Sequence, residues 1–371
     1  MLIIQTKDAR IEALKEIRHL NPDKLYIWGD GVYGQSIREY IRTVGGYTGT
    51  MIAIVDDVFY HSGKPDTLSF SEYLKLNDRE TPVVFGIYNY PVVQQKRAEW
   101  NAVIHHLFDF HLTYVNGRTL LWNGSAAKSR ENEYRKTYDL LGDDHSRHVM
   151  QLYLNTATAG EFRKLFTECY EAPAYFNRYT ERLNIDTLID CGAFDGDSIH
   201  DFTSAHPEYR RIIAIEPDPQ NVHRLREREK QEGIHSLAVI PKGLGAQRGM
   251  LRFRANGASN SFLNEEGDME VEITTLDGIL AETEGEVGQI LLKMDIEGAE
   301  LDALHGAEKL LREKKPAMAI SVYHRETDLI DLPRFIHDTV GESAYDYYLG
   351  FHGLDLAELV LYAIPRTECA K

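Results

Sequence analysis

Thr187-Leu-Ile-Asp-Cys-Gly-Ala-Phe-Asp-Gly-Asp-Ser198 reads as a buried strand that breaks into a glycine-rich turn and then a helix. The apolar run ends at Asp190, Gly192 and Gly196 bracket the turn, and Asp197 or Ser198 is placed to cap the helix. A Cβ at either glycine is expected to block a bound cofactor while leaving the fold intact. Arg211-Ile-Ile-Ala-Ile-Glu216 is the next strand, and its acidic end falls about 20 residues beyond the glycines, where a carboxylate can take both ribose hydroxyls of a nucleoside. The turn also carries three acids, Asp190, Asp195 and Asp197, which would repel a pyrophosphate. Such a turn suits a cofactor with a cationic or zwitterionic end, which S-adenosylmethionine has.

A second strand deepens that reading. Gln289-Ile-Leu-Leu-Lys-Met-Asp-Ile-Glu-Gly-Ala-Glu300 is apolar except for Lys293, Asp295 and Glu297, which alternate. Charges on one face of a strand end are costly unless that end opens into a site or is salt-bridged, here Lys293 with Glu297. Ligands of open α/β sheets bind at the carboxyl ends of the strands, so Asp190, Glu216, Asp295 and Glu297 are expected along one edge.

Together these residues resemble the FkbM-like methyltransferases. The matching pieces are Asp190-x-Gly-Ala-x-x-Gly-x-Ser198, Glu216-Pro217, Thr275-Leu-Asp277 and Lys293-x-Asp-x-Glu-Gly-Ala-Glu300, with Leu304 and Gly306 downstream. The resemblance covers roughly residues 170 to 365 and departs at Ala319-Ile-Ser-Val-Tyr-His324, where many relatives carry a glutamate. It implies an α/β fold, a doubly wound seven-stranded sheet, and S-adenosylmethionine as cofactor. The cofactor would be held by Asp190, Gly192, Ala193, Phe194, Asp195, Gly196, Ser198, Glu216, Pro217, Gly243, Leu244 and Asp295. Expected strands run over 187–190, 212–216, 237–241, 290–294, 318–322, 345–348 and 359–364, with a helix over 299–314. Two shorter strands, 250–254 and 269–274, read as a hairpin insertion whose loop is Asn256-Gly-Ala-Ser-Asn-Ser261.

Composition bounds the partners. The chain has 371 residues and a formal net charge of -17, with its Lys and Arg scattered, so a nucleic-acid partner is not expected. Its apolar start, Met1-Leu-Ile-Ile4, is too short for a signal-peptide core and no run approaches a membrane span. Three cysteines, Cys169, Cys191 and Cys369, make no disulfide framework or metal spacing. A cytoplasmic protein without membrane insertion is expected, and a homo-oligomer is compatible with the sequence.

The first 115 residues read as a smaller Rossmann-like domain. A helix over 8–20 precedes a strand over 23–28, and Gly29-Asp-Gly-Val-Tyr-Gly34 then enters a helix over 35–42. Strands over 51–55, ending in Asp56-Asp57, and 81–87 complete it. The module resembles those of sugar-modifying enzymes. Its crevice reads as an acceptor or sugar-nucleotide site, an NAD-type site, or a purely structural feature. Residues 116–184 read as a helical connector and lid, with helices over 130–141 and 145–169, leading into the methyltransferase domain at 185–371. Tyr170, Tyr175 and Tyr179 are either a packed aromatic face or a wall over the cofactor.

The chemistry asked of the chain is an in-line displacement with removal of a hydroxyl proton. Asp295, Glu297 and His324 are the candidate bases, histidine being the more usual one; Lys293 would orient the acids or serve the fold. Paired acids can also hold a divalent metal, which the sequence does not require and for which it dedicates no ligand set. The leading expectation is O-methylation of a sugar, glycan or related small-molecule hydroxyl. C- or N-methylation of a sugar nucleotide, and an NAD-dependent sugar-nucleotide oxidoreductase working through the N-terminal domain, are the alternatives.

Overall fold

Asp190 and Lys293 stand side by side on adjacent strands, and the sheet around them sets the architecture. The computed structural model describes residues 2–21, 23–109, 112–115, 118–120, 124–160, 162–254, 262–263, 269–283 and 288–366. The expected loop Asn256–Ser261 and Cys369 lie outside the described residues.

The larger sheet has seven strands in the order Leu237–Ile240, Arg211–Ile215, Thr187–Cys191, Ile290–Met294, Ala317–Ser321, Leu359–Pro365, Tyr345–Phe351. All neighbours pair in parallel except Leu359–Pro365, which runs against both of its partners. The three central strands, Thr187–Cys191, Ile290–Met294 and Ala317–Ser321, are buried along their whole length, as near-continuous apolar runs covered on both faces must be. Two clusters of buried residues flank this sheet, one containing Ile189, Leu292 and Ile320, the other Leu188, Leu291 and Ala319, so alternate residues of each strand feed opposite layers. The fold class is therefore α/β with a seven-stranded mixed sheet, as expected.

A separate five-stranded, wholly parallel sheet occupies the N-terminal part, in the order Thr67–Ser69, Thr50–Val55, Lys24–Trp28, Val83–Phe85, Leu107–Asp109. Its two edge strands, of three residues each, were too short to leave a period in the sequence. The expected hairpin, Gly249–Arg254 against Met269–Thr274, is present, in a four-stranded sheet that also takes Gly243–Leu244. The connector is less helical than expected, since Thr113–Val115 and Arg118–Leu120 form an antiparallel pair.

Two expected helices are divided, each for a local reason. The 145–169 helix breaks at Gly160, which closes Asp144–Ala159 in the left-handed region (φ 83) before Phe162–Cys169 begins. The 299–314 helix is two, Glu300–His305 and Glu308–Glu313, divided at Gly306, where a Cβ would stand 2.3 Å from the Gly245 carbonyl oxygen. Asp277 then caps the second piece, its carboxylate accepting from the Lys309 and Leu310 N–H groups. Residues 170–186, with their tyrosines, are turns and extended chain, and Pro173 near their start has no backbone donor with which to continue the preceding helix.

The two sheets are joined by packing as well as by sequence. Leu2, Ile4 and Tyr90 enter the same buried cluster as Val149, Tyr153 and Leu292. The Gln5 N–H donates to Asn155 Oδ1 (3.2 Å), Arg10 Nη2 to the Ala157 carbonyl (3.2 Å), and the Tyr90 N–H to the Leu354 carbonyl (3.1 Å). No helix among the described residues is long and apolar enough to cross a membrane.

Candidate active site

The parallel register that sets Asp190 beside Lys293 also sets Cys191 beside Met294, so the chain leaves both strands together. Gly192 and Asp295 are thus the first residues past the sheet on either side. They touch: a Cβ on Gly192 would lie 1.8 Å from the Asp295 carbonyl oxygen, and the glycine is left-handed (φ +81). This corrects the expectation for that position. The close approach is to the chain's own backbone, so a side chain there breaks the fold before it could obstruct a ligand. Gly196 is similar in kind, with φ +88 and a Cβ position 2.7 Å from Leu225 Cδ1. It occupies the N-cap position of the Asp197–Ala205 helix itself, so neither Asp197 nor Ser198 is the cap residue.

The three acids of the turn divide into different environments. Asp190 is wholly buried and lies 3.0 Å from the Lys293 ammonium, and the Ser198 hydroxyl donates to its other oxygen (2.5 Å). Burial would lower the Lys293 pKa, but the Asp190 carboxylate overrides it and holds the ammonium well above its ordinary range. Lys293 Nζ also donates to the Gly192 carbonyl (2.6 Å), so this buried pair clamps the turn to the sheet. The expected Lys293–Glu297 bridge is not what forms: the pleat leaves Lys293 level with Asp190, its partner in register. Asp195 faces the other way, toward Arg228 (3.2 Å). Asp197 alone of the three lines the cavity in front of the turn.

That cavity, about 350 Å³, lies at the carboxyl edge of the large sheet. Gly192, Phe194, Ser198, Lys293, Asp295 and Glu297, all expected site residues, contribute to its wall. Ala193 is instead buried in the core. Gly243 and Leu244 are buried in the small sheet, where a Cβ on Gly243 would meet Ile273 at 2.6 Å. Glu216 ends its strand as expected, buried behind the turn: one oxygen accepts from the Phe194 N–H (3.0 Å), the other from the Asp218 N–H (2.8 Å). Burial raises its pKa to about 7 against the pull of those donors. Pro217 is half-buried between these two acids.

The acid-bearing edge is where charge concentrates. Tyr175 donates its hydroxyl to Asp295 Oδ2 (3.1 Å), and Tyr323 donates to Asp295 Oδ1 (3.5 Å) and to Glu358 (3.4 Å). His324 lies fully buried behind them, its Nε2 3.3 Å from Asp295 Oδ1 and 3.6 Å from Glu297 Oε2, its Nδ1 2.9 Å from Glu300 Oε1. Glu300 in turn accepts from the Ile296 (3.0 Å) and Gly298 (3.3 Å) N–H groups. Burial would lower the imidazole pKa, but Glu300, Asp295 and Glu297 together push it up to about 10. These three carboxylates favour the charged form of the imidazole at the position named among the candidate bases. Glu297, mainly through burial, rises to about 8, and Glu358, again mainly through burial, to about 7. The edge therefore carries several carboxylates and one shared proton-holding ring.

Tyr323, Glu358, His352 and Glu300 are the participants the sequence reading gave no role. Tyr175 joins the cavity wall and also packs on the core.

The N-terminal glycine turn makes a different place. Gly29 (φ +113) and Gly34 sit against Gly86 and each other, with Cβ positions 2.6 Å from the Gly86 oxygen and 2.4 Å from the Gly29 oxygen, whereas Gly31 meets nothing within 4 Å. A cavity of about 570 Å³ opens beside Gly31 at the carboxyl edge of the small sheet, walled by Trp28, Phe59, Tyr88 and Asp56. Asp57 is turned away to cap Phe70–Leu76 through Ser71.

No curated protein matches the chain. Among solved structures, the methyltransferase FkbM from Methylobacillus flagellatus KT shares its fold over 95% of this chain and 93% of its own, at 22% identity and TM-score 0.74. An rRNA methylase from Streptococcus thermophilus covers 50% of this chain and 89% of its own at 12% identity, with a TM-score of only 0.32. The family model for the methyltransferase FkbM domain matches residues 190–347, from Asp190 through the strand Tyr345–Phe351. That span holds the glycine turn, the acid-bearing strand and His324, so residues 190–347 match the methyltransferase FkbM domain, an enzyme domain that implies S-adenosylmethionine-dependent methylation.

Proposed function

We propose that the chain transfers a methyl group to a hydroxyl of a sugar, glycan precursor or similarly polyhydroxylated small molecule. The observation that carries this is the composition of the cavity wall, where carboxylates and phenols converge beside the Gly192 turn. An apolar acceptor would strip water from the lone pairs those groups still present to the cavity, at a cost of about 1–3 kcal/mol for each one left short of a partner. A hydroxyl-rich acceptor supplies the partners.

S-adenosylmethionine, when bound, supplies a methyl group on a sulfonium sulfur open to in-line displacement. The residues present fit it. With Lys293 committed to Asp190, the wall formed by Asp197, Asp295 and Glu297 is left net negative, which suits a sulfonium and an ammonium. Glu216 braces the Phe194 N–H, and its remaining lone pairs are assigned to the ribose hydroxyls. Gly192, Phe194 and Ser198 would form the floor under the methionine end. Asp295 and Glu297 accept the hydroxyl of the acceptor and take its proton. Tyr175 and Tyr323 hold Asp295 in place, and Lys293 acts by clamping the turn. In this reading residues 185–371 carry the transfer, 116–184 cover its mouth, and 1–115 bind part of the acceptor.

Isothermal calorimetry should show S-adenosylmethionine binding, and NAD binding with hydride transfer would promote the oxidoreductase reading instead. Asp295→Asn or Glu297→Gln is expected to lower turnover roughly a hundredfold, the scale of a positioned acid or base, with little change in donor affinity. Full activity in both variants would remove the two carboxylates from the chemistry.

A further inference from the structure

We propose that the crevice beside Gly31, at the carboxyl edge of the five-stranded sheet, binds a nucleoside diphosphate. Its use as a handle for a nucleotide-linked sugar acceptor rests on the methyltransferase reading; the site itself rests on its own geometry. The chain lays down Thr50–Val55 and Thr67–Ser69 on one side of Lys24–Trp28, then Val83–Phe85 and Leu107–Asp109 on the other. Ligands of such sheets enter where the strand order reverses. The cavity of about 570 Å³ lies there, with Trp28, Val55 and Ile87 in its wall. Gly29 and Gly34 are each pressed on a backbone oxygen, so the fold itself requires them. Gly31 differs: its φ is -75 and a Cβ there would meet nothing within 4 Å. Neither a left-handed backbone nor a neighbour asks for a glycine at that position. What its bareness provides is close approach of a diphosphate to the main chain.

The rest of the wall matches the other parts of a nucleotide. Asp56 follows the strand Thr50–Val55, where a carboxylate takes both ribose hydroxyls. Among the described residues its carboxylate meets one partner, Lys96 at 3.8 Å, so its lone pairs remain open to a ligand. Phe59 and Tyr88 are 72% and 55% exposed, on the loops after Thr50–Val55 and Val83–Phe85, the two strands that flank Lys24–Trp28. Both rings line the cavity, and a base stacked on them would cover apolar surface now left to water. Asp30 also stands in the wall, but Lys64 pairs with it and Arg38 lies 3.9 Å away, so its charge is countered. Lys64 and His61 bring nitrogen donors to the same wall. Asn89, another wall residue, precedes Tyr90, whose N–H donates to the Leu354 carbonyl, and Glu358 of the other cavity stands four residues further on. The crevice thus adjoins the joint that leads to the methyl-transfer cavity.

The test titrates the full chain with UDP and with ADP by calorimetry, since stacking accepts either base. One saturable site is expected for at least one of the two. Gly31→Val places a side chain in open space and should weaken binding roughly a hundredfold while Tm stays within a few degrees. Asp56→Ala, which removes the acceptor of the ribose hydroxyls, should weaken it roughly tenfold or more. Phe59→Ala, at an exposed ring, should cost roughly fivefold or more. Should Gly31→Val fail to fold, Asp56→Ala decides the matter, because its side chain is partly exposed. Saturation by neither nucleotide, or affinity unchanged in Asp56→Ala or in a folded Gly31→Val, overturns the proposal. S-adenosylmethionine titrated into the same protein separates the two ideas. Donor binding without nucleotide binding sinks the nucleotide site alone; nucleotide binding without donor binding keeps the site and sinks the methyltransferase reading.

Discussion

Two of the sheets, the five-stranded parallel one and the seven-stranded mixed one, each carry a glycine turn at the carboxyl edge of their parallel strands, and the turns serve opposite ends. At the N-terminal sheet, Gly29 and Gly34 pack backbone on backbone, and the crevice beside them is wide and partly apolar, with Phe59 and Tyr88 exposed. At the larger sheet the crevice is smaller and its charges lie inside the protein: Asp190, Lys293, Glu300 and His324 are all buried. The glycine spacing Gly-x-Gly-x-x-Gly belongs to the first, yet it is the second that carries the costly arrangement. Glycines report where a chain turns tightly; buried charge reports where a fold has accepted a penalty for chemistry.

The sharpest way to break this comparison is a pair of glycine changes. Gly192→Ala forces a Cβ into the Asp295 carbonyl from a left-handed backbone, and a loss on the order of 4 kcal/mol or more is expected, seen as lost soluble protein or a collapsed Tm. Gly31→Ala, with open space around it, should shift stability by no more than about 0.5 kcal/mol. Equal losses at the two sites would erase the distinction.

Next in size is the buried ion pair. Lys293→Met leaves the Asp190 carboxylate uncompensated and is expected to cost about 3–5 kcal/mol by urea denaturation. Lys293→Met combined with Asp190→Leu should recover much of that loss, and a double variant no better than the single would deny that the pair acts as a unit.

A third measurement uses pH. Glu216 is raised from 4.5 to about 7, first by burial, so its neutral form is favoured in the fold. The stability it contributes is full below pH 4.5 and is lost as pH climbs through about 7. Glu216→Gln should flatten that slope across pH 4.5 to 7, and an unchanged slope would assign the titration elsewhere. A small effect is also expected for Asp57→Ala, which removes hydrogen bonds to exposed Ser71 at the helix start while the Ser69 capping box stays in place, seen as a slight fall in Tm.

Most of the large sheet was legible because its central strands are buried on both faces and so read as unbroken apolar runs. The partner of Lys293 was not: alternation along one strand pointed to Glu297, and only the register with the neighbouring strand reveals Asp190. Three-residue strands such as Thr67–Ser69 are too short to show a period. Glu358 was missed for a topological reason that could have been used. Leu359–Pro365 runs antiparallel, so its beginning lies at the carboxyl edge of its parallel neighbours and delivers Glu358 into the cavity. The ion pair of His324 with Glu300 was out of reach because Glu300 stands on the helix that follows the strand Ile290–Met294, in a different element from His324.

The contact between Gly192 and the Asp295 carbonyl has a consequence for how such an enzyme can diversify. The loop assigned to the donor and the strand assigned to the acceptor share a wall one peptide thick, so neither can drift without moving the other. New acceptor preferences must then be acquired on the opposite rim, at Glu171, Ala174, His352 and the hairpin around Glu358, which line the cavity from segments outside that wall. Natural variation and laboratory selection alike should accumulate there and leave the shared wall untouched.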